Sequence, residues 1–126
     1  FFTVHVDYGD DGPVIRNGCP KTLTIKIANR YKIQANLSLN WYLPEGWEIE
    51  PAAEGYAMSF PGHMGPSLEL DYTFTAERLQ GATARAVLEI TIEGRPTVML
   101  VPVTLLNGNL LRRQDVRREA QAQADE

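Results

Sequence analysis

Residues 37–43 read Leu37-Ser-Leu-Asn-Trp-Tyr-Leu43, and this stretch decides the fold class. Its odd positions are apolar, whereas Ser38, Asn40 and Tyr42 occupy the even ones. Successive side chains of a β-strand point to opposite faces, so a period of two predicts a strand with one buried face and one hydrated face. The parity places Trp41 in the core and turns Tyr42 outward.

The same alternation recurs along most of the chain. It predicts strands over 2–7, 22–27, 37–43, 68–75, 86–93 and 97–106, with shorter candidates at 47–50 and 56–60. Clusters of Gly, Pro, Asn and Asp separate these runs, as expected for turns. Strands with one hydrated face and short connections are typical of antiparallel sheets. The sequence therefore predicts an all-β, immunoglobulin-like antiparallel β-sandwich of about seven or eight strands.

The domain organisation follows from a change in composition near residue 110. The chain has 126 residues, enough for one domain with its own core. We expect the immunoglobulin-like β-sandwich over residues 1–109. Residues 110–126 contain good helix formers and neither Gly nor Pro, and they predict a short polar tail that is helical or disordered. Because the chain begins with Phe1 rather than Met, we expect a piece of a longer protein.

Composition and charge argue against several classes of function. A net charge of −4 argues against a nucleic-acid partner. No apolar run approaches the ~20 residues of a membrane span, so we expect no membrane partner. The single cysteine, Cys19, excludes an internal disulfide framework. We expect no cofactor, and the residues do not determine the compartment.

One longer stretch points to a family. Residues 35–51 read Ala35-Asn-Leu-Ser-Leu-Asn-Trp-Tyr-Leu-Pro-Glu-Gly-Trp-Glu-Ile-Glu-Pro51, and they follow a strand that ends at Asn29. A strand ending in Asn, then a strand running into Pro-x-Gly-Trp, resembles bacterial immunoglobulin-like accessory domains of the α-galactosidase-associated type. The resemblance covers roughly residues 20–75. It implies a non-catalytic module that supports or docks onto the catalytic domain of a larger bacterial hydrolase, either a glycoside hydrolase or an ADP-ribosylglycohydrolase-like enzyme.

The sequence contains no strong pattern of catalytic or metal-binding residues, and we expect neither catalytic residues nor a metal site. Glu69 and Asp71 would lie about 6.6–7 Å apart on one strand face, near the spacing of glycosidase carboxylates. However, their neighbours on that face are threonines, with nothing apolar to separate the two pKa values. The acidic turn at Asp7, Asp10 and Asp11 is better explained by Asx hydrogen bonds than by calcium, although calcium stays an alternative.

Carbohydrate binding is the alternative function. Sugar-binding modules present exposed aromatic rings, and the ligand-contacting candidates here are Tyr42, Trp47 and Tyr56. These residues come from different elements of the chain, whereas a binding platform needs them on one face. Trp47 also shares its parity with Ile49, which favours a position in the core or at its rim.

The final hairpin predicts a docking face. With Glu93 placed opposite Pro96, the outward pairs are Thr91 with Val98, Glu89 with Leu100 and Val87 with Pro102. A contiguous apolar group formed by Val87, Val98, Leu100 and Pro102 on an otherwise polar surface marks a contact. The expected partner is a neighbouring domain of the parent protein, a second copy of the chain, or the tail. The same register places Pro102 at a hydrogen-bonding position, where proline cannot donate a ladder bond, so it predicts either a bulge near Pro102 or a strand that leaves its neighbour there.

Overall fold

A computed structural model describes residues 2–62 and 67–110 of the chain. This part of the chain contains nine strands and no α-helix. The strands are β1 (Phe2–Asp7), β2 (Val14–Ile15), β3 (Lys21–Asn29), β4 (Ala35–Tyr42), β5 (Trp47–Glu50), β6 (Glu54–Ser59), β7 (Leu68–Ala76), β8 (Thr83–Ile92) and β9 (Val98–Asn107). Apart from Leu110, the predicted tail lies outside the described residues.

The strands form two packed sheets. The first sheet has the order β1-β3-β7-β5, and the second has the order β2-β9-β8-β4-β6. All neighbouring strands are antiparallel except β2 and β9, which are parallel. The predicted immunoglobulin-like β-sandwich is therefore confirmed. The sequence missed only β2, because two residues are too few to show a period of two.

The core lies between the sheets and is built from the inward positions of the alternating strands. Ile25, Phe74 and Leu88 are fully buried within it. Trp41 is 4% exposed, and its ring meets the rings of Tyr72 and Phe74 edge-on at centroid distances of 5.2 and 5.0 Å. Edge-to-face contacts of this kind are the favoured geometry of aromatic pairs. The predicted core position of Trp41 is confirmed.

The Pro-x-Gly-Trp segment forms the turn between the two sheets. β4 ends at Tyr42, and the N–H of Trp47 donates to the carbonyl of Pro44 at 3.2 Å. Gly46 has φ +84°, a left-handed conformation that glycine adopts without a steric penalty. Trp47 then packs half-buried against Phe74 with ring centroids 6.3 Å apart. The segment closes one end of the core.

Asn29, at the end of β3, connects the first sheet to the second through hydrogen bonds. Its side chain is almost fully buried, and its amide donates to the carbonyls of Ile33 and Ser59 at 3.1 Å each. Its side-chain oxygen accepts from the N–H of Tyr31 at 2.8 Å. The buried amide therefore satisfies backbone groups that would otherwise lack partners, which explains why an asparagine ends this strand.

β2 lies beside the C-terminal end of β9 and runs parallel to it. The N–H of Leu106 donates to the carbonyl of Pro13 at 2.7 Å, and the N–H of Gly108 donates to the carbonyl of Ile15 at 2.8 Å. A Cβ atom at Gly108 would lie only 2.8 Å from a methyl carbon of Val14. The absence of a side chain there allows β2 to approach β9.

Candidate interaction face

The register of β8 and β9 is the one predicted from the hairpin. The two strands pair without interruption from Thr91 opposite Val98 to Thr83 opposite Leu106. Within this ladder Glu89 lies opposite Leu100. The sequence therefore identified the correct outward-facing residues of both strands.

These outward residues form an apolar group, which we call the β8–β9 patch: Val87, Val98, Leu100 and Pro102. Val98 is 49% exposed and Leu100 is 63% exposed. Val87 is half-buried between Pro102 on β9 and Tyr42 on β4, which lie opposite it on either side. Tyr42 extends the patch across a third strand, and its hydroxyl donates to the Glu89 carboxylate at 3.4 Å. The patch thus crosses three neighbouring strands of the second sheet.

The outer face of the first sheet has the opposite character. Thr22 and Thr73 share a hydrogen bond of 2.8 Å, and Thr24 donates to Asp71 at 2.6 Å. These side chains bond to one another across β3 and β7, as polar cross-strand pairs on a hydrated sheet do. Only the second sheet, among the described residues, therefore offers an apolar outer face.

β9 has no bulge near Pro102 and stays paired with β8 beyond it, so the prediction of a bulge or a departing strand there is wrong. The N–H of Arg95 donates to the carbonyl of Ile92 at 3.1 Å, and this bond closes the turn one residue earlier than assumed. Consequently Leu88 and every second residue on either side of it direct their backbone N–H and C=O groups toward β9. Val101 occupies the hydrogen-bonding position opposite Leu88. The nitrogen of Pro102 points away from β8, toward the free side of β9. Proline is tolerated there because no ladder bond is lost.

The free side of β9 is only partly covered. At its end, Leu106 bonds to Pro13, and the backbone of Thr104 forms a hydrogen bond with the hydroxyl of Tyr8. Burial raises the pKa of the Tyr8 hydroxyl, and the bond to Thr104 offsets part of that rise. On the side of β9 opposite β8, no strand of the described residues pairs with it between Val98 and Leu105. The sequence could not have shown this open edge, because it depends on the length of β2.

The structure divides the three candidate aromatic residues between the two sheets. Tyr42 and Tyr56 lie on the outer face of the second sheet, where Tyr56 is 89% exposed. Trp47 lies on β5 in the first sheet and packs toward the core. The expected rim position of Trp47 is confirmed, and the three rings do not form one platform.

A groove runs beside Tyr56 on the same outer face. It has a volume of about 690 Å³, and its walls include Tyr56 and Met58 of β6 and Thr91 of β8. Asn36 and Ser38 of β4 lie between these walls, and the amide of Asn36 donates to the Glu93 carboxylate at 2.6 Å. The sequence did not indicate this groove, because it forms only when β6 pairs with β4.

The candidate reactive residues share the outer face of the first sheet. Glu69 and Asp71 are exposed two residues apart on β7, where Asp71 accepts from Thr24. His5 is exposed on β1, in the row of paired residues that runs through Lys26 of β3 to Glu69. His63 lies outside the described residues. The described residues also contain no cluster of three or more potential metal ligands.

The acidic turn after β1 forms the expected Asx hydrogen bond. The N–H of Gly9 donates to the Asp7 carboxylate at 3.0 Å, and Lys26 Nζ lies 3.7 Å from the same carboxylate. The bond from Gly9 holds the pKa of Asp7 below its usual value; desolvation opposes this effect, and the charge of Lys26 lowers the pKa further.

Comparisons with known structures agree with this fold. A FixG-related protein from Vibrio parahaemolyticus is similar over 86% of this chain and 95% of its own, with 16% identity and a TM-score of 0.58. The similarity to the PapD-like domain 7 of human CEP192 extends over 82% of this chain and 82% of that domain, with 11% identity and a TM-score of 0.48. WR4, a C. elegans MSP family member, covers 83% of this chain and 97% of its own at 9% identity and a TM-score of 0.46. At such identities the likeness concerns the fold alone.

Sequence comparison adds no family. No protein-family model and no curated protein matches the chain. In the described part of the chain, no helix has the length and apolar character needed to cross a membrane.

Proposed function

We propose that the chain is a non-catalytic accessory module of a larger bacterial enzyme, and that it docks onto a neighbouring domain through the β8–β9 patch. The observation that carries this proposal is the contrast between the two outer faces. The first sheet presents hydrogen-bonded threonines and carboxylates, whereas the second exposes Val98 and Leu100. Exposed apolar groups that are contiguous on an otherwise polar surface mark a contact with another surface.

The resemblance of residues 35–51 to accessory domains of the α-galactosidase-associated type supports a host of the hydrolase class. The parent enzyme is then a glycoside hydrolase or an ADP-ribosylglycohydrolase-like enzyme. The geometry agrees with a non-catalytic role, because Glu69, Asp71 and His5 lie exposed to solvent on the outer face of the first sheet rather than in a cleft. The module would support the catalytic domain without contributing a reactive group.

The experiment compares the isolated chain with the complete protein that contains it. We expect Val98→Thr/Leu100→Thr to change the stability of the isolated chain by less than about 1 kcal/mol, because both side chains are exposed. The same change in the complete protein should lower its unfolding temperature and increase hydrogen exchange in β8 and β9.

The matched control is Tyr56→Thr/Met58→Thr, which removes exposed apolar groups from the opposite edge of the same sheet. This control should leave the complete protein unchanged. Docking through the patch is contradicted if Val98→Thr/Leu100→Thr leaves both the stability of the complete protein and the exchange of β8 and β9 unchanged.

The groove beside Tyr56 favours a second candidate, carbohydrate binding. An exposed ring can stack on the apolar face of a sugar, while Asn36 and Glu93 supply hydrogen-bonding groups next to it. Affinity electrophoresis against a set of polysaccharides tests this candidate. Binding should be lost in Tyr56→Ala and retained in Trp47→Ala, because Trp47 lies in the other sheet. Absence of any retardation by the polysaccharides would reject it.

A further inference from the structure

The edge of the second sheet formed by β9 has unpaired backbone groups. Alternate residues of an edge strand direct their N–H and C=O groups away from the sheet. On β9 these residues include Val98, Leu100 and Pro102, because the backbone groups of Val101 point toward Leu88 on β8 and those of the alternate residues point the other way. Two N–H groups and three carbonyls of these residues have no partner strand among the described residues. This stretch can therefore accept another strand.

This edge differs in charge from the edges that β1, β5 and β6 form. Asp7 lies on β1, two glutamates lie on β5, and Glu54 lies on β6. Charges on an edge strand oppose pairing with a further strand. β9 carries no charged residue over its whole length, Val98–Asn107. It is the uncharged edge among these four.

We propose that β9 is a homodimer edge, along which a second copy of this chain pairs antiparallel with a two-fold axis at Leu100. An isologous contact places two identical strands against each other, so charges of one sign on the strand would be brought close to the same charges of the second copy. The absence of charge on β9 removes this repulsion and favours a second copy over a charged peptide.

The position of Pro102 fits this register. With the axis at Leu100, the N–H of Val98 meets the carbonyl of Pro102 in the second copy, and the reciprocal bond follows by symmetry. The two Leu100 residues exchange a further pair of hydrogen bonds. Pro102 contributes as an acceptor only, so its missing N–H removes one bond on each side and leaves four.

The side chains support the same arrangement. On the outer face, Leu100 would meet its own copy, and Val98 would lie opposite Pro102. On the inner face, the half-buried side chains of Met99 and Val101 would become less exposed to solvent where the two copies of β9 pair. The contact is small, so we expect a concentration-dependent dimer rather than an obligate one.

This inference is independent of the proposed docking function. The dimer requires the backbone edge of β9, whereas docking requires the outward side chains of the β8–β9 patch. Dimerisation of the isolated chain and stabilisation of the complete protein are separate measurements, so either proposal can fail alone.

Sedimentation equilibrium of the isolated chain over about 5–500 μM tests the dimer. We expect a monomer–dimer equilibrium in the unaltered chain. Leu100→Pro removes two bonds of the dimer and should weaken association about 10- to 100-fold. It should fold, because the N–H of residue 100 faces away from β8 just as the nitrogen of Pro102 does. If the proline variant is unstable, Leu100→Lys provides the same test: the two lysines would face each other at the two-fold axis, and their repulsion should weaken association.

The matched control is Met58→Lys on β6, at the opposite edge of the same sheet, which should leave association unchanged. A second measurement tests the register in a Cys19→Ser background. Leu100→Cys should form a disulfide-linked dimer on oxidation, because antiparallel partners lie within bonding range. Val98→Cys should not, since its two copies would be about 13 Å apart. The proposal is overturned by a monomer at all concentrations, by a dimer that Leu100→Pro and Leu100→Lys do not affect, or by equal cross-linking of both cysteine variants.

Discussion

Trp41 of the second sheet meets Phe74 of the first sheet with their ring centroids 5.0 Å apart and their planes at 77°. The contact joins the two layers at the centre of the core. Burial raises the pKa of the Tyr72 hydroxyl, and its interaction with the Trp41 side chain offsets part of that rise. Trp41 therefore stabilises the fold through apolar packing and ring contacts, together with a polar contact to Tyr72.

The first prediction concerns two adjacent residues on β4. Trp41→Ala should lower the free energy of unfolding by about 3–5 kcal/mol, as expected for a large core aromatic. Tyr42→Ala should cost less than about 1 kcal/mol, because its ring is 53% exposed. Urea denaturation of both variants checks the difference. Equal losses would mean that Tyr42 is as buried in solution as Trp41.

A second prediction tests the hydrogen-bonding parity of β9. Val101→Pro should destabilise the chain by at least about 2 kcal/mol, because it removes a bond to β8 and leaves the carbonyl of Leu88 unpaired. Pro102→Val should change stability by less than about 1 kcal/mol, since the restored N–H faces the free edge. Thermal unfolding distinguishes the two substitutions. A larger loss for Pro102→Val would contradict the assigned parity.

The third prediction concerns the buried amide of Asn29. Asn29→Ala removes three hydrogen bonds and leaves buried carbonyls without a donor, so we expect a loss of about 2–4 kcal/mol. Asn40→Ala on the outer face of β4 is the control and should cost less than about 1 kcal/mol. Guanidinium denaturation measures both losses. Similar small values would show that the junction between β3 and β6 is not stabilised by Asn29.

The fourth prediction is a pH dependence. The bond from Gly9, and then the charge of Lys26, lower the pKa of Asp7 from its ordinary value of 3.8. A carboxylate with a lowered pKa stabilises the folded state above pH 3.8, and this contribution is lost as the pH falls through the folded-state pKa. Asp7→Asn should therefore be less stable than the unaltered chain at neutral pH, and the difference should shrink in acid. Denaturation midpoints at pH 7 and well below pH 3.8 provide the measurement. A difference that is independent of pH would exclude this electrostatic role.

Much of the fold could be predicted from local patterns. A period of two assigns the face of every residue in a strand once one residue is placed, which is why Trp41 and Tyr42 were assigned correctly. The register of β8 and β9 followed because a short loop joins them. The outward position of Leu100 therefore needed only the alternation and the position of the turn.

The remaining features depend on contacts between distant residues or on small differences in geometry. The groove beside Tyr56 requires the pairing of β6 with β4, where Tyr56 lies opposite Ser38. The predicted bulge was wrong because the turn closes at Ile92 and Arg95, one residue from the assumed position. Moving the turn-closing hydrogen bond by one residue leaves the register, and therefore the faces of β9, unchanged. It does reverse which backbone groups of β9 bond to β8. The alternation of side chains in the sequence indicates the faces but not the hydrogen-bonding positions.

The parallel pairing of β2 with β9 determines how the sandwich carries mechanical force. Once β1 has separated from β3, tension between the chain before β2 and the chain after β9 would pull these two strands in opposite directions along their common axis. The bonds from Leu106 to Pro13 and from Gly108 to Ile15 lie across that direction, so they would bear the load together in shear. An antiparallel pair at this position would instead open one bond at a time from its end. The pairing of β2 with β9 is thus arranged to resist, by shear, the separation of these two strands.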